Sequence, residues 1–144
     1  MERRVFTLEA VNALVPKLSR IVERQLARRG AIEALLVRLG RELGDVPERI
    51  IVDPADPTDL RNLKQDLITK IADYRAGWKE IEELGAVLKD PRIGLLDFYG
   101  SVDGKAVWLC WKYGEAECAW YHGLEEGFAA RKPIGHSVRQ RLLN

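Results

Sequence analysis

Cysteine, histidine and methionine are scarce in this chain, with 2, 2 and 1 among 144 residues. Two cysteines, Cys110 and Cys118, make neither a CxxC pair nor the disulfide framework of a small secreted scaffold, and they fit a reducing compartment. Long apolar runs are also missing. No stretch approaches the roughly 18 to 20 residues of a membrane span, and the opening MERRVFTLEA carries charges where a signal peptide would have its apolar core. The reading is a cytoplasmic protein with no membrane partner. Neither sign of charge is in excess, since 23 Lys and Arg against 22 Asp and Glu leave a net +1. No global field gathers nucleic acid, and binding of that kind would need a local patch. Repeats and low-complexity tracts are absent. What remains, 47% apolar and 31% charged residues over 144 positions, is the composition and size of one domain, residues 1–144, with a core of its own.

The first half reads as helix. From Leu8 to Leu43 the apolar residues fall at helical spacing (Val11, Leu14, Leu18, Ile21, Val22, Ile32, Leu35, Leu36, Leu39), with Thr7 placed to cap the start and Gly44 to stop the run. Pro16 lacks the N–H that a helix interior needs, so either a short first helix ends near Leu14 or a long one kinks there. A proline-rich loop over 44–58 follows, and Asp56-Pro57 opens a second helix that should end at Gly85. One loop between two long amphipathic helices makes an antiparallel hairpin over residues 7–85. Lys17, Arg20, Arg24 and Arg28 form a basic stripe on the first helix, and Asp59, Asp66, Asp73 and Glu80 an acidic one on the second. Folding the hairpin brings Asp73 towards Arg28 and Glu80 towards Arg20, so the stripes read as a pairing device before they read as a phosphate site.

Beyond Pro91 the period changes from 3.6 to 2, and Asp103-Gly104 is a strong hairpin signal. Strands are expected near 93–100, 105–112 and 117–122, forming a three-stranded antiparallel meander within residues 86–131. The fold class is therefore α+β. The Asp103-Gly104 turn sets Asp97 opposite Cys110 and Phe98 opposite Leu109. An even second turn, pairing Lys112 with Glu117, gathers Leu96, Phe98, Leu109, Trp111, Cys118, Trp120 and His122 on one face, which reads as core. The other face carries Leu95, Asp97, Tyr99, Trp108, Cys110 and Tyr121. That mixture of rings and polar groups suits a ligand surface or a dimer contact anchored by Trp108, Tyr99 and Tyr121. The tail 132–144, with Arg131 just before it, brings four basic residues and no acid, and reads as a solvated end.

The chemically able side chains crowd into residues 108–131, WLCWKYGEAECAWYHGLEEGFAAR. Asp97, Cys110 and His122 are metal-ligand candidates, because thiolate, carboxylate and imidazole together suit zinc or iron. Glu125 joins them through an H-x-x-E spacing with His122, on one face if a helical turn starts there. The expected register, however, turns His122 to the face opposite Asp97 and Cys110. A three-ligand site then needs His122 to swing, a different register or a second subunit. Without a metal, Cys110 is a small buried hydrophobe and His122 a hydrogen-bonded residue at a strand end. Cys110 with His122 as a nucleophile and base lacks a visible oxyanion donor.

The segments GLLDFYG, LCWKYGEAE and WYHGLEEGFAARKPI, with the opening FTLEAVNALVP and the ELG…KD lead into the strands, resemble a prokaryotic family designated domain of unknown function 2203. The resemblance runs over about 130 residues and is densest in the tryptophan-rich block. It implies a helical hairpin followed by a short C-terminal β region, and brings no reaction with it. Members carry an aliphatic residue where this chain has Cys118, so no role for that cysteine is implied. Two hairpin helices and three strands leave apolar surface to cover, which points to a self-associating, homodimeric interaction module. The competing reading is a metal- or small-ligand-binding protein using Asp97, Cys110, His122 and Glu125, with a metal-dependent enzyme behind it. No pathway, substrate or protein partner can be named from these residues.

Overall fold

The computed structural model describes residues 4–142. Helix α1 runs Leu8–Leu43 and α2 Thr58–Glu83, followed by strands β1 (Val87–Asp90), β2 (Leu95–Val102), β3 (Lys105–Lys112), β4 (Trp120–Gly123) and β5 (Lys132–Pro133) and a short helix α3 (His136–Arg141). The fold is α+β. Two compact units divide the chain, residues 24–79 forming one and residues 1–23 with 80–144 the other.

Thr7 caps α1 as its hydroxyl allows, accepting the Ala10 N–H at 3.0 Å. The helix then continues through Pro16, the long helix of the two alternatives, instead of ending near Leu14. Burial of Val11, Val15, Leu18, Ile21 and Val22 along one stripe outweighs the single backbone bond that proline removes. Gly44, at φ +87°, ends the helix in the left-handed conformation that only glycine adopts cheaply.

In the unit of residues 24–79 the helical hairpin closes on Ile32, Leu39, Leu63 and Leu67, flanked by Leu35, Leu36, Leu60 and Ile71. The charge stripes do not pair across it as expected. Arg28 donates to the Gln25 Oε1 at 2.7 Å, and Arg29–Glu33 and Lys70–Asp66 are pairs one turn apart on their own helices. Gln25 joins the helices instead. Fully buried, it donates from Nε2 to the Tyr74 carbonyl at 2.6 Å, and it fits only because Gly77 opposite it has no side chain.

The other unit holds one antiparallel sheet in the order β1-β2-β3-β4-β5. It has five strands where three were expected, β1 and β5 being short edge strands with too few residues to show alternation. Asp103 and Gly104, at φ 52° and 77°, make the type I′ turn, and β2 pairs with β3 as expected, Asp97 opposite Cys110. The register of β4 differs by one residue: Cys110 faces Trp120 and Trp108 faces His122. Residues 113–119 are too tightly engaged to form a simple turn. Glu115 accepts the Lys112 N–H at 2.6 Å and, through its carbonyl, Trp111 Nε1 at 3.0 Å, while the Cys118 N–H is drawn to Asn12 Oδ1 at 2.7 Å. Since side chains alternate along a strand, the shift moves Trp120 and His122 to the face of Asp97 and Cys110, and Tyr121 to the other.

Leu96, Phe98, Leu109 and Trp111 are the expected core face, all fully buried, with Phe6 meeting Phe98 edge-on at 5.0 Å between ring centres. Phe6 also fills the space over Gly85, whose φ is +103°. The tail is no solvated end. Ile134 N–H donates to the Ala119 carbonyl at 2.8 Å, and buried Leu142 bridges to Val102 on β2. Leu143 lies outside the described residues. Among the described residues no helix is long and apolar enough to cross a membrane.

Candidate metal centre

The shifted register is what assembles the site. Asp97 on β2, Cys110 on β3 and His122 on β4 each offer a donor atom on one sheet face, and these atoms lie within 4.8 Å of one another. All three side chains are sealed from solvent, at 1%, 0% and 2% exposure. Such burial is unusual for a carboxylate, which takes a partner when it leaves water. Asp97 has no adequate one. His122 Nε2 stands 2.9 Å from its Oδ2, yet neither carboxylate oxygen receives a well-formed hydrogen bond among the described residues.

His122 Nδ1 lies 3.0 Å from the Gly123 carbonyl, and a carbonyl only accepts, so Nδ1 carries a proton. Nε2 is thereby the ring nitrogen turned to the carboxylate, with the Cys110 thiol, a weak donor, beside them. A proton or a metal ion fits between the three, and a ring held through Nδ1 by a backbone carbonyl is how metal-binding histidines are oriented.

Charge around the cluster is arranged in two pieces. A bulge between Leu88 and Asp90 in β1 sets Lys89 over the Trp108 ring at 4.2 Å and 3.9 Å from Asp97 Oδ2. At 35% exposure it is the wet edge of the site. On the other side Arg131 Nη1 reaches 3.8 Å from Cys110 Sγ. Burial raises the Asp97 pKa, opposed by His122, Cys110 and Lys89. Burial, then the Asp97 charge, pushes the Cys110 thiol up to about 12, against the pull of Arg131. Burial thus works against the charged form of both acids. A divalent cation reverses that preference.

A Cys–His–Asp relay is a different geometry. There the carboxylate holds the imidazole nitrogen remote from the nucleophile, whereas here the carboxylate sits at Nε2 and the remote nitrogen belongs to Gly123. Three donor atoms within 4.8 Å of one another form a group that could hold a metal ion.

Glu125 is not part of it. The residues after Gly123 form a turn in place of a helix, Glu125 is exposed, and it is Glu126 that folds back, accepting the Gly123 N–H at 2.8 Å. The rings expected at a dimer contact have other surroundings: Trp108 is 3% exposed within its own chain and packs edge-on against half-buried Tyr99, while Tyr121 lies on the opposite face. Lys89, Arg131 and Glu115 went unrecognised as neighbours of the site, since a bulge and two loops bring them there and no spacing encodes such contacts.

Fold and site together define an α+β protein with a buried oxygen, sulfur and nitrogen donor set on a sheet face. The chain belongs to the family of uncharacterized conserved proteins designated DUF2203, whose profile matches residues 4–134. No curated protein and no solved structure matches it significantly.

Proposed function

We propose that the protein binds a divalent metal ion through Asp97, Cys110 and His122. The observation that carries this reading is the convergence of three buried donors, with neither Asp97 oxygen receiving a well-formed hydrogen bond and His122 Nε2 2.9 Å from one of them. One thiolate, one imidazole and one carboxylate suit zinc, with iron(II) the second choice among ions that accept mixed donors. Tetrahedral zinc holds such donors about 3.3 to 3.6 Å apart, so the Asp97–His122 pair at 2.9 Å must open slightly and donors as far apart as 4.8 Å must draw in. Three protein donors leave one position for water or another ligand, and the exposed edge marked by Lys89 is where it would enter.

The test is metal content. Protein purified without chelator should carry close to one zinc or iron per chain by elemental analysis, and stripped protein should take up one equivalent of zinc in calorimetry. Cys110→Ser and His122→Ala should each lose the ion, while Cys118→Ser keeps it. Metal-free protein that refuses zinc, with Cys110→Ser and Cys118→Ser behaving alike, rejects the reading.

Self-association is the second reading, and the exposed apolar side chains Val37, Val46, Ile51 and Ile68 within residues 24–79 favour it. Ile68→Glu with Ile51→Glu should move a dimer to monomer in light scattering, and a wild-type monomer at micromolar concentration removes the reading.

A further inference from the structure

Arg131 is held more firmly than a surface arginine needs. Its guanidinium grips the Glu115 carboxylate with two bonds, Nη1 to Oε1 at 3.1 Å and Nη2 to Oε2 at 2.9 Å. Its charged carbon lies 4.6 Å from the Trp120 ring centre and 4.3 Å from that of Phe128. Glu115 is fixed in turn, because Oε1 also accepts the Lys112 N–H at 2.6 Å. Two rings and a fork thus leave the guanidinium one orientation, and in it Nη1 is 3.8 Å from Cys110 Sγ, hydrogen-bond range for sulfur. An arginine with a full complement of carboxylate and rings has no structural need of a thiol. A metal-bound thiolate does need such a donor, because its remaining lone pairs are buried and the charge it carries is only partly passed to the ion.

The geometry points to Arg131 as a positioning residue of the metal centre: it donates to the Cys110 thiolate, lowers the energy of the sulfur lone pairs, and so sets how tightly and how covalently the ion is held. Glu115 and the rings of Trp120 and Phe128 aim it. This rests on the metal-binding reading above. The fixed cation also balances the negative donor set: a divalent ion with one thiolate and one carboxylate is neutral, Arg131 with Glu115 adds nothing net, and Lys89 leaves a single positive charge at the wet edge. The centre is therefore suited to a neutral or anionic fourth ligand.

Cobalt(II) substituted into the full-length protein gives a readout that packing alone does not move. The thiolate-to-cobalt charge-transfer band reports the energy of the sulfur lone pairs. Removing a hydrogen bond to the sulfur should shift this band to lower energy in Arg131→Leu, and cobalt affinity should fall roughly 10- to 100-fold, the range for lost outer-shell partners of metal ligands. Arg131→Lys, which keeps the charge and loses the fork, should fall between Leu and wild type. Glu115→Gln, which weakens the aim while leaving the guanidinium in place, should shift the band the same way by less, and it decides the matter if Arg131→Leu does not fold. A wild-type band at the same energy in Arg131→Leu, or in Glu115→Gln where Leu fails to fold, overturns the role of Arg131 while metal binding stands. Absence of any charge-transfer band in wild-type protein with cobalt overturns both.

Discussion

Asp97→Asn should make the metal-free protein more stable and the zinc-loaded protein relatively less so. In the wild type a carboxylate at 1% exposure stands 2.9 Å from His122 Nε2 and receives no well-formed hydrogen bond. Asparagine keeps the shape, supplies an N–H to His122 Nε2, and removes the charge. A buried polar group left unsatisfied costs about 1–3 kcal/mol, more when ionised, and the ion-pair contribution of Lys89 at 3.9 Å and 35% exposure is small by comparison. The unfolding entropy of a chain of 144 residues is about 0.3 kcal/mol/K, so the gain is a rise of roughly 3–10 °C in Tm. Zinc at a hundred times its Kd stabilises the wild type by about 2.7 kcal/mol, or roughly 9 °C on the same scale, and should do little for the variant. Thermal melts in EDTA and in excess zinc therefore give opposite orders as long as the variant's gain stays below that roughly 9 °C, and zinc in larger excess over its Kd secures the reversal. A lower Tm for Asp97→Asn in EDTA would refute the argument, because it would mean that the carboxylate already stabilises the metal-free fold as the partner of a protonated His122.

Lys89→Met removes a positive charge beside Asp97 and should tighten zinc binding by roughly 3- to 10-fold, a modest factor because the ammonium is partly solvated; weaker binding in calorimetry would show that Lys89 helps to hold the site together. Zinc binding should release a proton and strengthen as pH rises, since a Cys110 thiol pushed up to about 12 must lose its own, and a pH-independent affinity would contradict thiolate ligation. In metal-free protein the raised Cys110 pKa means that the folded state keeps its proton longer than the unfolded chain does, so its contribution is full below pH 9.0 and lost as pH rises towards about 12; melting temperatures that do not fall over this alkaline range would argue against a buried thiol. Gly77→Ala should lower stability by about 1–3 kcal/mol despite alanine's better helix propensity, because its Cβ would overlap the Gln25 amide. Gln25→Ala in the same chain should recover most of that loss, and simple additivity in denaturant unfolding would show that the two side chains do not meet.

Periodicity carried the architecture. The seam of α1 and α2, Thr7 as a cap, Gly44 and Gly85 as stops, and the Asp103-Gly104 hairpin are all local events, decided within a few residues by side-chain shape and backbone preference, and the structure has them where the pattern places them. Asp97 opposite Cys110 followed from a two-residue turn that admits one register. Pro16 left two readings, a short first helix or a long kinked one, and the helix runs on because a proline's cost is local, whereas the burial that overrides it extends along the helix face.

Composition and spacing thus determined the fold class, the hairpin and three chemically apt residues for a site. Whether those residues meet was decided elsewhere. The loop over 113–119 is held by Asn12, 106 positions from Cys118 in sequence, and by Glu115 reaching back to Lys112 and across to Arg131. These contacts move β4 by one residue, and a shift of one turns every side chain on a strand to its other face. His122 thereby joins Asp97 and Cys110 in place of the core, Glu125 is left in solvent, and Lys89 arrives through a bulge that no alternation encodes. Strand register depends on long-range partners, and whether three donors share a sheet face depends on register, so only the tertiary structure could bring them within 4.8 Å of one another.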